Sequence, residues 1–453
     1  MVRTVTAWSA YFLMSLSLFA GVLLRGGVYP RQWEWSALGV SIAAVLVASW
    51  PWVGARPARE NWGLWLMAAL LAWMALQMVP LPPVLIAWLS PERWSALSAA
   101  RALTGQRRGA WAALSTVPGG TLEGLLDVVP AMAAFVVTRE LCRTWRGRAW
   151  VLVTPVIAVA WLESMLGLAQ FYMLHARDSG IRVTGTYINP NHFVGLLEIS
   201  FPLAILWAVS VWRKGIARRA VSAGPASATI GLLAVAACLL MGVVFSLSRM
   251  GFISTVGATI LTIFILLGSS ARRPSGVVIG RRWLTSVAVL GCLLIFLPTK
   301  GLVGRLAGLT ATETLSIDAR SGIWSDTLGM IGAYRWTGSG LGTYEYAFYR
   351  FKKILPMDTV EFAHNDYLQI AAELGFIGAA LAGALGVWIA WRLLSVVLWM
   401  RGSGNWELAV GLLGALFAIA LHSLVDFNLY IPANALAVAW LSGIADSPGL
   451  RSP

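Results

Sequence analysis

Long apolar runs recur along the chain, separated by short polar breaks. They fall at about 8–24, 34–53, 62–80, 122–140, 150–173, 192–212, 228–246, 251–269, 284–298, 367–397, 407–425 and 432–446. Each is near the roughly 20 residues that an α-helix needs to cross a bilayer. The pattern predicts an all-α polytopic membrane protein with about twelve transmembrane helices, forming one transmembrane domain over residues 1–453. The first run follows Met1-Val-Arg3, and no small-residue cleavage pattern closes it, so an uncleaved first helix is expected.

Two stretches break this rhythm. Residues 81–121 open on Pro82-Pro83 and carry Leu85, Trp88 and Trp94 at near-helical spacing, which predicts an outer segment lying in the membrane interface. Residues 299–366 form the longest non-spanning stretch, a large periplasmic loop between spans nine and ten. Its apolar patches, such as Trp324 to Ile331, suggest helices resting on the membrane domain. A loop of this length in a compact protein is usually functional.

Composition agrees with a life in lipid: 58% of residues are hydrophobic and 12% charged. The formal charge of +14 raises the question of nucleic acid, and topology answers it. With the N-terminus inside, the inner loops collect Arg3, Arg56, Arg59, Arg143, Arg146, Arg148, Arg213, Lys214, Arg218, Arg219, Arg272, Arg273, Arg281, Arg282, Arg401 and Arg451 with almost no acid, while the outer loops carry a similar number of bases over roughly twice the length and mixed with Asp and Glu. That is an orientation signal, and no nucleic-acid partner is expected. Cys142, Cys238 and Cys292 lack metal spacing and predict no disulfide.

On this topology the outer face gathers the residues able to do chemistry. Arg182 precedes Gly185-Thr186 and Asn189-Pro190-Asn191-His192, where the asparagines can cap the helix that follows. Ser246, Ser248, Arg249 and Gly251 make a tight turn between two spans; a guanidinium held there suits a phosphate or pyrophosphate. Arg320 lies in the large loop. His364-Asn365-Asp366 opens the tenth span, and His364, one of only four histidines, is the best general base. Asp366 or a neighbouring acid could orient it, or Asp366 could be the base itself. Asn365, Gln369 and Glu373 share one helix face below it. His422 and Asp426 stand nearby as alternatives, Glu163 and Glu198 fall inside spans, and Glu123 and Asp127 read as first-turn acids with Thr121 as cap. The glycine run Gly338–Gly342 lacks the Lys-Ser/Thr ending of a phosphate loop. No metal site or cofactor is expected, since the phosphate partners are arginines rather than paired carboxylates.

These motifs, in their order and common sidedness, resemble the O-antigen ligase and polymerase superfamily over roughly residues 180–430. The resemblance implies a GT-C-like, inverting, metal-independent glycosyltransferase of the bacterial inner membrane, with its active site facing the periplasm. It implies transfer of a whole glycan from undecaprenyl pyrophosphate to a sugar hydroxyl. By motif position Arg182 and Arg249 inherit the diphosphate-binding role and His364 the role of base, with Arg320, Asn189, Asn191, Ser248 and Asn365 as further substrate contacts and Asp366 beside the base. The implied partners are the lipid-linked oligosaccharide donor, a glycan or lipid A-core acceptor, membrane lipid and, for a polymerase, a chain-length regulator. Ligases often carry a basic residue four positions before the histidine, where this chain has Val360. That and the long outer loop favour an O-antigen or exopolysaccharide polymerase over a ligase. A secondary transporter, the alternative from another class, calls for polar groups near the bilayer midplane and repeated halves; here the polar groups gather at one surface and no repeat is visible. A non-catalytic scaffold leaves the arginines facing a histidine without a purpose.

Overall fold

The structure is a computed structural model and describes residues 2–50, 61–105, 109–175, 182–217, 223–270, 311–353 and 359–451. Among these, fifteen α-helices account for nearly all regular structure, and the one β-bridge pairs Leu81 with Ala112. In chain order they are α1 (Val2–Leu23), α2 (Pro30–Ala48), α3 (Trp62–Leu76), α4 (Pro83–Leu89), α5 (Pro91–Thr104), α6 (Pro118–Thr144), α7 (Ala149–His175), α8 (Pro190–Ala217), α9 (Ala223–Phe245), α10 (Arg249–Ser270), α11 (Ala311–Ala333), α12 (Tyr344–Phe348), α13 (Asp366–Trp399), α14 (Trp406–His422) and α15 (Pro432–Asp446). Every apolar run of the sequence falls on one of these helices except 284–298, which lies outside the described residues. Among the described residues seven helices (α1, α6, α7, α8, α9, α10 and α13) are long and apolar enough to cross a membrane, and the chain is an all-α, multi-pass membrane protein.

The helices run in alternation, so their ends gather at two rims. The N-termini of α6, α8, α10, α13 and α15 share one rim with the C-termini of α9 and α14. The other rim holds the opposite ends. Helix α8 is the most deeply buried of the seven and packs against α9, α10 and α14. Proline starts several helices at their first position, as at Pro83, Pro91, Pro118 and Pro432, where the missing N–H costs no intrahelical bond. Helix α6 therefore begins at Pro118, with Val117 as its cap; Thr121, expected to cap it, lies inside the helix and bonds the Ser115 hydroxyl instead.

Helix α13 is broken at Gly375, whose φ of +65° and ψ of −175° are not helical. The break is filled from outside. Phe376 N–H donates to the Arg335 carbonyl at 2.7 Å, and Gly340 N–H donates to the Glu373 carbonyl at 2.9 Å. A Cβ on Gly375 would run into the Trp336 carbonyl, and one on Gly338 into the Glu373 carbonyl. The glycine run thus docks a loop into a helix break. Buried Gln77, at the end of α3, closes the joint: its amide donates to the Thr337 and Glu373 carbonyls, and its oxygen accepts from Leu341 N–H. Non-helical backbone near lipid depth is tolerated where protein groups satisfy it in this way.

At the far rim a buried ionic knot ties the C-terminal part together. Asp446 accepts from Arg139 Nε at 2.7 Å and from the Trp388 indole at 2.8 Å, and Arg392 donates to its backbone carbonyl at 2.6 Å. Basic residues described at this rim include Arg3, Arg143, Arg148, Arg213 and Arg401. Cys142 and Cys238 are free, and Cys292 lies outside the described residues.

Candidate active site

At the first rim the helix ends meet around one carboxylate, that of Asp426. It lies in the link after α14. Its Oδ2 accepts from the Asn191 amide at 2.6 Å. Its Oδ1 stands 3.4 Å from His192 Nε2 and 4.0 Å from His364 Nδ1. Both histidine contacts are electrostatic in reach, and the second is too long for a hydrogen bond. The Phe427 ring holds the arrangement: His192 meets it edge-on at 4.6 Å, His364 at 5.0 Å, and Phe362 stacks on it at 4.2 Å.

The backbone presents His364 with some force. Ala363 is pinned on both sides, its N–H donating to Gln369 Oε1 at 2.6 Å and its carbonyl accepting from the Trp324 indole at 2.9 Å. His364 then adopts φ +49°, the left-handed region that L-residues with a Cβ seldom occupy. Asn365 caps α13, its Oδ1 accepting from the Tyr367 and Leu368 N–H groups, while its amide donates to the Leu424 carbonyl. The imidazole side chain is one-third exposed. Burial lowers its pKa below the ordinary value; Asp426 opposes that shift, and the charges of Arg320 and His192 add to it. The ring is therefore neutral near pH 7, the form that can accept a proton. Burial pushes the Asp426 carboxyl upward, yet the His192 imidazole beside it, His422 and the Phe427 N–H together hold it well below the usual carboxylate range.

Asp366 is placed differently from its neighbours. Its side chain is fully buried, and Oδ2 accepts from the Ser423 hydroxyl at 2.6 Å and from Leu429 N–H at 3.2 Å. It staples the start of α13 to the links around α14, while Asp426 is the acid that faces His364. Sequence spacing favoured Asp366 because it lies two residues away; Asp426, more than sixty residues on, was seen only as an alternative.

The arginines are brought to the same rim by backbone pairing. Arg182 donates from Nε to the Ser246 carbonyl at 2.9 Å, and Val183 N–H donates to the Phe245 carbonyl. This lays the segment that begins at Arg182 along the α9–α10 turn that carries Arg249. Ser246 and Ser248 shape that turn: Ser246 Oγ accepts from Ser248 N–H, and Ser248 Oγ accepts from Gly251 N–H at the start of α10. Leu247 takes φ +54° between them. Gly251 has no room for a Cβ against Val194, so the turn sits directly on the first turns of α8, two residues past His192. Asn189 accepts from Asn191 N–H and caps α8, which frees the Asn191 amide for Asp426. Glu163 accepts from both the N–H and hydroxyl of Thr186, fixing the loop between Arg182 and Asn189. Glu198 pairs with His422 at 3.0 Å beneath the site, and neither reaches the rim surface.

The fold defines the class: a multi-pass, all-α membrane protein, with a polar cluster of histidines, carboxylates and arginines at one rim of its bundle as the candidate site. Residues 234–383, about a third of the chain, match the family model described as O-antigen ligase. The match takes in Arg249, Arg320 and the His364–Gly375 stretch, and it supports the O-antigen ligase/polymerase superfamily for this chain. Comparison with curated proteins finds no match. No group of three or more His, Cys, Asp or Glu side chains with metal-binding geometry occurs among the described residues.

Proposed function

We propose that the protein transfers a glycan en bloc from undecaprenyl pyrophosphate to a sugar hydroxyl at the periplasmic face of the inner membrane, as an O-antigen or exopolysaccharide polymerase. The family match supports the coarser reading, a membrane glycosyltransferase of O-antigen ligase/polymerase type. The observation that carries the finer one is the pairing of His364 with Asp426 at the rim to which Arg182 and the Arg249 turn are anchored.

The chemistry follows from the groups. Once substrate closes the 4.0 Å gap between Nδ1 and Asp426 into a hydrogen bond, Nδ1 holds the proton and Nε2 is left as the base. Nε2 takes the proton of the acceptor hydroxyl as that oxygen attacks the anomeric carbon. The bond to the lipid diphosphate breaks on the opposite face, so configuration inverts. The resulting imidazolium is balanced by the Asp426 carboxylate, and a contact of 4.0 Å leaves room to tighten once substrate is bound. Arg182, Arg249 and Arg320 supply fixed positive charge to the departing diphosphate, with Ser248, Asn189, Asn191 and Asn365 shaping the rim around it. A ligase passing the glycan to lipid A-core remains the second reading, because the matching family is described by that activity.

The test is direct. Purified protein in liposomes receives the lipid-linked repeat alone. Lengthening of the repeat without a second acceptor is the expected result for the polymerase, and strict dependence on added lipid A-core identifies the ligase. Normal transfer by both the His364→Ala and Arg249→Ala variants would remove the assignment.

A further inference from the structure

Ala363, the residue before His364, is held on both of its peptides, and one hold runs back into the membrane helix. Its N–H donates to Gln369 Oε1 at 2.6 Å, and Gln369 Nε2 donates onward to Glu373 Oε1 at 3.1 Å. Gln369 and Glu373 lie one turn apart on α13, and each is 1% exposed, so two buried side chains join the region of the Gly375 break to the segment that carries the imidazole. Ala363 also belongs to the small apolar core that α11 and α12 form against the first turns of α13, where the Trp324 indole takes its carbonyl. On the other side of His364, Asp366 N–H donates to the Ser423 carbonyl at 2.9 Å. His364 lies between these two fixed points and takes up the strain, at a φ of +49° that the chain would not keep unaided.

Glu373 is the fixed end of this relay. Tyr344 N–H, at the start of α12, donates to its Oε1 at 3.2 Å, and the Tyr430 hydroxyl, in the link before α15, donates to its Oε2 at 2.9 Å. Its backbone carbonyl accepts from Gly340 N–H of the docked glycine run. It forms no ion pair among the described residues. An acid buried without a cation costs stability that an apolar side chain of similar volume would not. What the acid supplies is a sense of direction. Tyr344 N–H already donates to Oε1, so that oxygen stands as an acceptor toward Gln369. The amide must then turn Nε2 down to Glu373 and Oε1 up to Ala363. Reversed, it would set donor against donor at Ala363 and acceptor against acceptor at Glu373.

We infer that Gln369 and Glu373 are positioning residues for the base: the docked outer loop fixes Glu373, Glu373 sets the sense of the Gln369 amide, and Gln369 holds Ala363 so that the strained backbone keeps the His364 ring beside Asp426. The inference rests on the transferase reading only in naming His364 a base. It makes loop docking and assembly of the site a single event, because a loop that leaves the α13 break takes the support of the imidazole with it.

The imidazole can be read directly, without substrate. The chain has four histidines, so their ring signals can be followed against pH by NMR on histidine-labelled, full-length protein in nanodiscs, with His364 assigned from its loss in His364→Gln. The charged groups facing this ring are Asp426 from the link after α14, Arg320 from α11 and His192 from α8. Glu373 is not among them, so a change there reaches the ring through position rather than charge. In wild type, burial holds the His364 titration below the ordinary value. Gln369→Met keeps the volume and loses both bonds; it is expected to release the ring and raise its pKa toward ~6.5. Gln369→Asn, too short to span both partners, is expected to do the same, and it decides the matter if the methionine variant lacks the signal of buried His422 that marks a folded core. Glu373→Leu is expected to follow them, and Glu373→Gln, which still offers an acceptor, to titrate as wild type. A His364 titration left at its wild-type position in a folded Gln369 variant overturns the inference. With the lipid-linked repeat as donor, Gln369→Met is expected to lower kcat about 10²-fold, the loss that follows a displacement of about 1 Å at a reacting group, with the donor KM unchanged. A raised donor KM at unchanged kcat also overturns it. A shifted titration in a protein that transfers no glycan even as wild type removes the transferase reading and leaves the relay standing.

Discussion

His364 combines an unfavourable backbone conformation, one-third exposure and a carboxylate at 4.0 Å, and each has a measurable consequence. Removing the imidazole by His364→Ala is expected to lower kcat by about 10²–10⁴, the usual worth of a positioned general base, with donor binding retained. The pH dependence has a definite sign. A base must be unprotonated, so kcat falls as pH drops through the pKa of His364, and burial places that limb below the ordinary histidine value of about 6.5. Asp426 raises that pKa and Arg320 lowers it. Asp426→Asn is therefore expected to move the acid limb to lower pH, and Arg320→Gln to move it to higher pH. A kcat–pH profile of the two variants checks both directions, and acid limbs left where they are in wild type would show that neither charge reaches the imidazole. His364, Arg182 and Arg249 could be picked out in the sequence because charged groups are scarce in so apolar a chain. Asp426 could not be ranked above Asp366, because sequence distance hides which acid the imidazole faces. The lone signal was its spacing of one helical turn from His422.

At the scale of elements, the apolar runs announced their helices because lipid-facing length is written directly in composition. The ends and breaks were harder to read. Helix α6 starts three residues before its expected cap because Pro118 is already suited to the first helical position. The break in α13 depends on Gly375 meeting a loop more than thirty residues earlier in the chain, which no local pattern displays. Gly375→Ala must place a side chain at φ +65° against the Trp336 carbonyl. The conformation alone costs about 1–3 kcal/mol, so the variant is expected to melt at lower temperature in detergent and to lose transfer, since the same joint supports Ala363 and Gln369. Ala at Gly383, where a Cβ meets nothing, is expected to leave the melting temperature unchanged.

For the molecule as a whole, the rim opposite the site carries basic residues such as Arg3, Arg143, Arg148, Arg213 and Arg401. That rim is more than a topological label. Asp446 is fully buried and holds Arg139 from α6 and Arg392 from α13 to the end of α15. Asp446→Ala takes the shared acid from two buried guanidinium groups, of which Arg139 keeps Glu140, and breaking such a group is expected to cost about 3–5 kcal/mol. Thermal unfolding of the purified variant, with Asp446→Asn alongside it, checks this. If the alanine variant melts within a degree of wild type, the knot contributes nothing to stability. The stretch 299–366, expected to be a large periplasmic loop, contributes α11, α12 and the glycine run, and residues 299–310 and 354–358 of it lie outside the described residues.

The gap in α13 has one more consequence. The two turns above it are hung from the Gln77 joint and the outer loop, while the segment below, Phe376 to Trp399, belongs to the bilayer. A membrane that grows thicker or thinner acts on the lower rod and meets the broken turn at Gly375 before it reaches the imidazole. Turnover is therefore expected to stay level across vesicles of differing acyl length, and to become sensitive to that length once the break is closed into continuous helix.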